Sequence, residues 1–138
     1  MRRMLPVFLI LLAGCRTGPL EPVEIEASDM CARCRMAISE KQYAAEIIDP
    51  DEQPAKFDDI ACMVRYAKER GRRPTSAIFV VDYSNRGWLD AARAYYVQSE
   101  QIPSPMRGGL IALKDEAEAR KQAARFSGRV LAFDDLWK

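Results

Sequence analysis

From Gln42 onward, the apolar positions fall into strand-like runs and one helical spacing, and the order then repeats. Gln42 to Ile48 is a mixed apolar run that predicts a strand, followed by turn chemistry at Asp49-Pro50-Asp51. Ala55-Lys56-Phe57 returns as a second strand. Asp58 or Asp59 then caps a helix with Ile60, Met63, Val64 and Ala67 on its apolar face, Gly71 ends it, and Ala77 to Val81 is a β-rich run suited to a buried strand. The second pass runs Ala94-Tyr95-Tyr96-Val97 as a strand, 103–109 as a Pro/Gly loop and Leu110 to Leu113 as a strand. Asp115-Glu116-Ala117-Glu118 has the form of a capping box opening a helix with Ala119, Ala123 and Phe126 inward. Gly128 is placed at its C-cap and Val130 to Phe133 forms the closing strand. The pattern predicts an α+β fold of two similar strand–strand–helix–strand units packed together, over about 25–84 and 85–138 of one domain spanning 25–138.

Upstream of that domain the pattern changes. Arg2 and Arg3 precede a short apolar run, Leu5 to Ala13, that is too short to span a bilayer and has the shape of a secretory signal, residues 1–14. It ends in Leu12-Ala13-Gly14-Cys15, the form of a bacterial lipobox, which makes Cys15 a lipidated anchor on the membrane and not a ligand. Residues 15–24, with Gly18, Pro19 and Pro22, read as an extended tether. Arg16 lacks the aspartate associated with inner-membrane retention in enteric bacteria, which points the anchor to the outer membrane on the periplasmic side.

Formal charge is +1, and loss of Arg2 and Arg3 with the leader leaves 19 basic against 20 acidic side chains, so nothing suggests a nucleic-acid surface. The chain contains no histidine, which removes hydrolytic triads and histidine general bases. It also has no phosphate-binding Gly-rich loop and no Rossmann fingerprint, and no catalytic residue stands out.

The chemistry is in the sulfur. Without Cys15 three thiols remain, Cys31, Cys34 and Cys62, an odd number for an oxidising compartment. Cys31 and Cys34 have the spacing that aims two sulfurs at one centre, in a segment that reads as a loop before a strand. That spacing also suits a disulfide, half of a structural zinc site or a redox pair. A closed zinc site needs four ligands, so here it would need a carboxylate or a second chain. A redox pair would open a helix to lower its thiolate pKa. Met36 extends the run to Cys-x-x-Cys-x-Met, and thiolate with thioether is a soft set suited to Cu(I). Cys62 falls in the first turn of the first predicted helix, whose N-terminus favours thiolate, although a small buried hydrophobe fits there as well. Asp58 and Asp59 read as a cap and its neighbour. Met106, in the Pro/Gly loop, reads as an exposed methionine without a packing reason and so as a ligand from the second unit.

These residues together resemble the NosL family of copper-binding lipoproteins that assist assembly of nitrous oxide reductase. The resemblance is carried by the lipobox, Asp29-Met30-Cys31-Ala32-Arg33-Cys34-Arg35-Met36-Ala37-Ile38-Ser39 and Lys56-Phe57-Asp58-Asp59-Ile60-Ala61-Cys62-Met63. Trp88-Leu89-Asp90-Ala91, Ala94-Tyr95-Tyr96-Val97, Pro105-Met106 and Gly109-Leu110-Ile111-Ala112 extend it over most of the chain. It implies a fold similar to organomercurial lyase, a Cu(I) cargo, Cys34 and Met36 as central ligands, Met106 as a third, and Cys31 and Cys62 as further metal-site residues. It also implies nitrous oxide reductase or its maturation complex as copper acceptor. Two positions depart from the family pattern: Arg35 stands where Gly follows the second Cys, and Arg107 where Gly follows Pro-Met. The expectation is a lipid-anchored periplasmic Cu(I) carrier that is not an enzyme. The alternatives are a thiol–disulfide reductase that keeps a partner's copper-site cysteines reduced, an organomercurial-lyase-like activity, and a structural lipoprotein with buried sulfurs.

Overall fold

The computed structural model of the chain describes residues 18–138, apart from Glu52, Arg72, Pro74 and Thr75. The fold is α+β and is built from one unit used twice. The first unit is β1 (Ala45–Ile48), β2 (Ala55–Phe57), α1 (Ile60–Arg70) and β3 (Ala77–Val81). After β4 (Trp88–Asp90) the second unit follows as β5 (Tyr95–Gln98), β6 (Leu110–Leu113), α2 (Glu116–Arg125) and β7 (Arg129–Leu131). Each unit places its first strand in the middle of an antiparallel sheet, β2-β1-β3 and β6-β5-β7, with β4 adding an edge strand to the first. Asp82 couples the two sheets. It bridges to Ala112, and its buried carboxylate accepts from Ser84 N, Asn85 N and, across the units, Lys114 N at 2.9 Å.

Side-chain alternation along the strands explains the layering. Ala45 and Ile47 of β1, Tyr96 of β5, and Leu110 and Ala112 of β6 share one core with the buried face of α1, so α1 lies between the two sheets. The opposite face of the second sheet, Val97, Ile111 and Leu113, packs on Ala119 and Ala123 of α2. Phe57, Ile60, Met63, Val80 and Tyr96 are completely enclosed, each worth about 1.5–3 kcal/mol of transfer free energy. Tyr96 keeps its hydroxyl satisfied by donating to Ala91 O at 2.7 Å.

Four local expectations are corrected. Lys41–Tyr43 is a 3-10 turn and not strand, because Ala44 N closes on Lys41 O and Tyr43 is drawn into the core of the second unit. No side chain caps α2 at Asp115; Glu118, the expected capping-box partner, accepts from Gln122 Nε2 and Ser84 Oγ instead. The same helix has its C-cap at Phe126, two residues before Gly128, with Ser127 left-handed (φ 50°) and Gly128 N reaching Ala123 O at 2.8 Å in a Schellman closure. Gly128 is required there by crowding, since a Cβ would stand 2.6 Å from Gln98 O. The closing strand is correspondingly Arg129–Leu131, and Phe133–Trp137 forms a 3-10 turn.

Candidate metal centre

A short hairpin carries the first two thiols. Met30 and Ala37 bridge, Cys31 N donates to Met36 O at 2.8 Å, and Arg35 N donates to Cys31 O at 3.0 Å. Closing so tight a turn needs a left-handed residue, and Arg35 fills that place at φ 65°. Ala32 N donates to Lys56 O at 2.8 Å, which ties the hairpin to the edge of β2. The third thiol comes from the other end of the same strand. β2 runs through Phe57 into Asp58 and Asp59, and Asp59 caps α1 by accepting from Ala61 N at 2.8 Å. Cys62 is then placed on the first turn, facing back toward the hairpin.

Cys31 Sγ, Cys34 Sγ, Cys62 Sγ and a carboxylate oxygen of Asp58 all lie within 4.8 Å of one another. Cys31 and Cys62 are fully buried, Asp58 is 2% exposed, and Cys34 is half-buried. The cluster therefore opens to solvent on the Cys34 side. Cys34 Sγ donates to Asp58 Oδ2 at 3.3 Å, while Asp58 Oδ1 is buried with no partner. A buried carboxylate oxygen without a donor is costly as it stands and suits a cation or a proton.

Electrostatics keep the metal-free Cys34 and Cys62 thiols protonated. Burial pushes Cys34 up to about 11, with Cys31 and Asp58 adding to the rise and the Met36 amide opposing it. Burial also raises Cys62, reinforced by the neighbouring thiols and by Asp58 and Asp59. The expectation that the N-terminus of α1 would favour the Cys62 thiolate is thus overridden by desolvation. Arg33 lies at the edge of the site. Its guanidinium pairs with Glu69 at 2.7 Å, which raises its pKa, and Cys62 contributes to that rise in smaller measure.

The methionines divide. Met106 is not the exposed residue expected from a Pro/Gly loop. It is half-buried and packs against the core that contains Cys31 and Cys62. Asp59 holds its loop in place, accepting from Met106 N at 3.0 Å and Gly108 N at 3.4 Å with the oxygen that does not cap the helix. Gly108 permits this approach: a Cβ there would stand 2.3 Å from Ala61 Cβ. Met36 is 55% exposed and Met30 52%. Cys15 lies outside the described residues.

Asp58 is the site residue that sequence reasoning left as a capping neighbour. One signal was available: a helix start needs one capping carboxylate, and Asp58-Asp59 offers two. In chemical terms the cluster is three soft donors and one hard one, with a half-open side and thioethers nearby.

Comparison with known proteins gives the chain's relatives. The sequence model of the NosL family matches residues 22–138. The chain is 29% identical over 130 residues to the copper-binding lipoprotein NosL of Stutzerimonas stutzeri, covering 85% of this chain and 66% of that protein. Among solved structures, the copper chaperone NosL from Shewanella denitrificans superposes with a TM-score of 0.76 at 17% identity, over 86% of this chain and 96% of that one.

Proposed function

The chain belongs to the NosL family, and from that premise we propose that it is a periplasmic, lipid-anchored Cu(I) carrier that delivers copper for maturation of nitrous oxide reductase or a related copper enzyme. It is a carrier and not an enzyme. Cys15 anchors it to the outer membrane, and the acceptor is nitrous oxide reductase or its maturation complex. One observation carries the reading: three thiols and a buried carboxylate, one of whose oxygens has no hydrogen-bond partner, converge within 4.8 Å at a half-open edge.

In this reading Cys34, at the open side, is the thiolate through which copper enters and leaves. Met36, exposed two residues after Cys34, supplies a thioether at the exit, and Met106 closes the site from the second unit. Cys31 and Cys62 complete the soft set from the buried side. Binding deprotonates thiols and builds negative charge, which the guanidinium of Arg33 faces. Transfer follows by exchanging one sulfur ligand at a time with the acceptor, because Cu(I) tolerates two or three ligands.

The test is an anaerobic Cu(I) competition titration of the reduced full-length protein against a chromophoric chelator. One equivalent is expected to be retained, and Cys34→Ser weakens it by at least about tenfold, 1.4 kcal/mol. Absence of any competition sinks the carrier reading.

Asp58 also favours a second reading, since it is the carboxylate a closed zinc site would need. Stoichiometric Zn(II) held more tightly than Cu(I) in paired competitions would establish it. The reductase alternative is disfavoured by the raised Cys34 pKa, because attacking thiols are poised low. Turnover of a disulfide substrate would restore it.

A further inference from the structure

A basic trough runs from the α1 face that carries Ala61 over the second unit. Two adjoining hollows, of about 470 and about 500 Å³, share Gln98, Gly108 and Arg129 as their common wall. The first is rimmed by Arg65, Lys68, Arg129 and Lys138, with Asp135 as its acidic residue. Arg107 extends the rim into the second, where Glu100 is the acidic residue. Five cations thus face two carboxylates, although residues 18–138 as a whole carry 18 basic against 20 acidic side chains. The positive charge is concentrated here in a domain that is slightly acidic overall.

Little of that charge is neutralised internally. Among the described residues Arg65 and Arg107 make no ion pair, and Arg129 donates to the neutral Gln98 Oε1 at 2.7 and 3.2 Å. Lys68 donates to the main-chain oxygen of the last residue, Lys138, and Lys138 pairs with Asp135 at 2.6 Å, a carboxylate that Arg129 also acts on. Val64, Leu110, Leu131 and Leu136 form the floor between these cations, so the trough offers apolar contact below and positive charge at the rim. It is also joined to the site. Ala61, in its wall, precedes Cys62, and Gly108 binds Asp59 and lies two residues from Met106.

We infer that this trough docks an acidic, partly apolar segment of the protein that receives the metal, placing that protein's ligands against the open side of the Cys31/Cys34/Cys62 cluster. The inference rests on the carrier reading. A cationic rim in water steers an acidic partner and speeds its arrival more than it tightens the final complex, and salt screens it. Such steering suits a carrier that must both meet and leave its acceptor.

The test uses the reduced full-length protein and a fluorescein-labelled peptide of acidic residues interspersed with leucine, followed by fluorescence anisotropy. Binding is expected to weaken steeply between about 50 and about 200 mM salt. The double reversal Arg65→Glu/Arg129→Glu weakens it at least about tenfold, and Lys68→Glu/Lys138→Glu, which spares the Arg129–Gln98 contact, does so independently. Arg120→Glu, on the exposed side of α2, leaves it unchanged. Chelator competition gives the same Cu(I) affinity for all of these. Equal peptide binding by wild type and both double variants overturns the inference, as does displacement of the peptide by low-millimolar inorganic phosphate, which would mark a small-anion site. Failure of the wild type to hold Cu(I) would instead strike the carrier reading.

Discussion

At the scale of single residues the decisive contact is Cys34 with Asp58. The thiol, pushed up to about 11, holds its proton throughout the neutral range, so Cys34 releases a proton when it becomes a ligand, whereas a thioether ligand has none to release. Metal affinity is therefore expected to rise with pH, by about tenfold per pH unit for each thiol deprotonated; chelator competitions at three pH values measure the slope. The stability of the metal-free protein has the opposite sign. Because the folded value lies above the ordinary 9.0, the Cys34 contribution is complete below 9.0 and is lost as pH rises toward about 11. Asp58→Asn removes the hard donor and the acceptor of the Cys34 proton. It should lower Zn(II) affinity by about 10–100-fold and Cu(I) affinity much less; equal losses would place Asp58 among the copper ligands. The three cysteines were legible in the sequence because thiols are few and Cys-x-x-Cys is a local spacing. Asp58 was not, because which of two adjacent carboxylates caps the helix depends on where the chain enters it. The exposure of Met36 was equally hidden, since the hairpin that carries it turns on one left-handed residue, Arg35.

At the scale of elements, two left-handed arginines shape the site's edges. Arg35 at φ 65° and Arg107 at φ 52° hold a conformation that glycine adopts without strain. Arg35→Gly is expected to stabilise the metal-free fold by about 1 kcal/mol, read as a higher denaturant midpoint with unchanged slope. Gly108→Ala has the opposite effect. Its Cβ would collide with Ala61 and with Asp59, lifting the Met106 loop from α1 at a cost of about 1–3 kcal/mol. Chelator competition on this variant also asks whether Met106 holds metal, since the cysteines stay in place. Strands were readable where the apolar run was continuous, 77–81 and 110–113, or where apolar residues alternated after turn chemistry, 55–57, and all three are where the pattern put them. Trp88–Asp90 was not, because three residues have too little alternation to mark a strand, and only pairing with β3 makes them one.

At the scale of the molecule, the duplication matters because α1 is buried between the sheets of both units and carries Cys62 into their shared core. The pattern of the sequence contained the repeat, but not that each unit alone would leave α1 half-covered. Asp82 is the hinge of that sharing: its carboxylate, 2% exposed, accepts three backbone N–H groups, one of them from the far side of the unit boundary. Asp82→Ala strands those donors and is expected to cost about 2–4 kcal/mol. If the two units fold only together, far-ultraviolet circular dichroism and tryptophan fluorescence should report one coincident urea transition, before and after the substitution. The two tryptophans make the comparison informative, because Trp88 lies on the edge strand of the first sheet and Trp137 packs beside Phe133 at the end of the second unit. Transitions that separate in the wild type would show the units to be independent. Cys62 would then be held by the first alone, and the Met106 loop could swing away from the thiols without unfolding them.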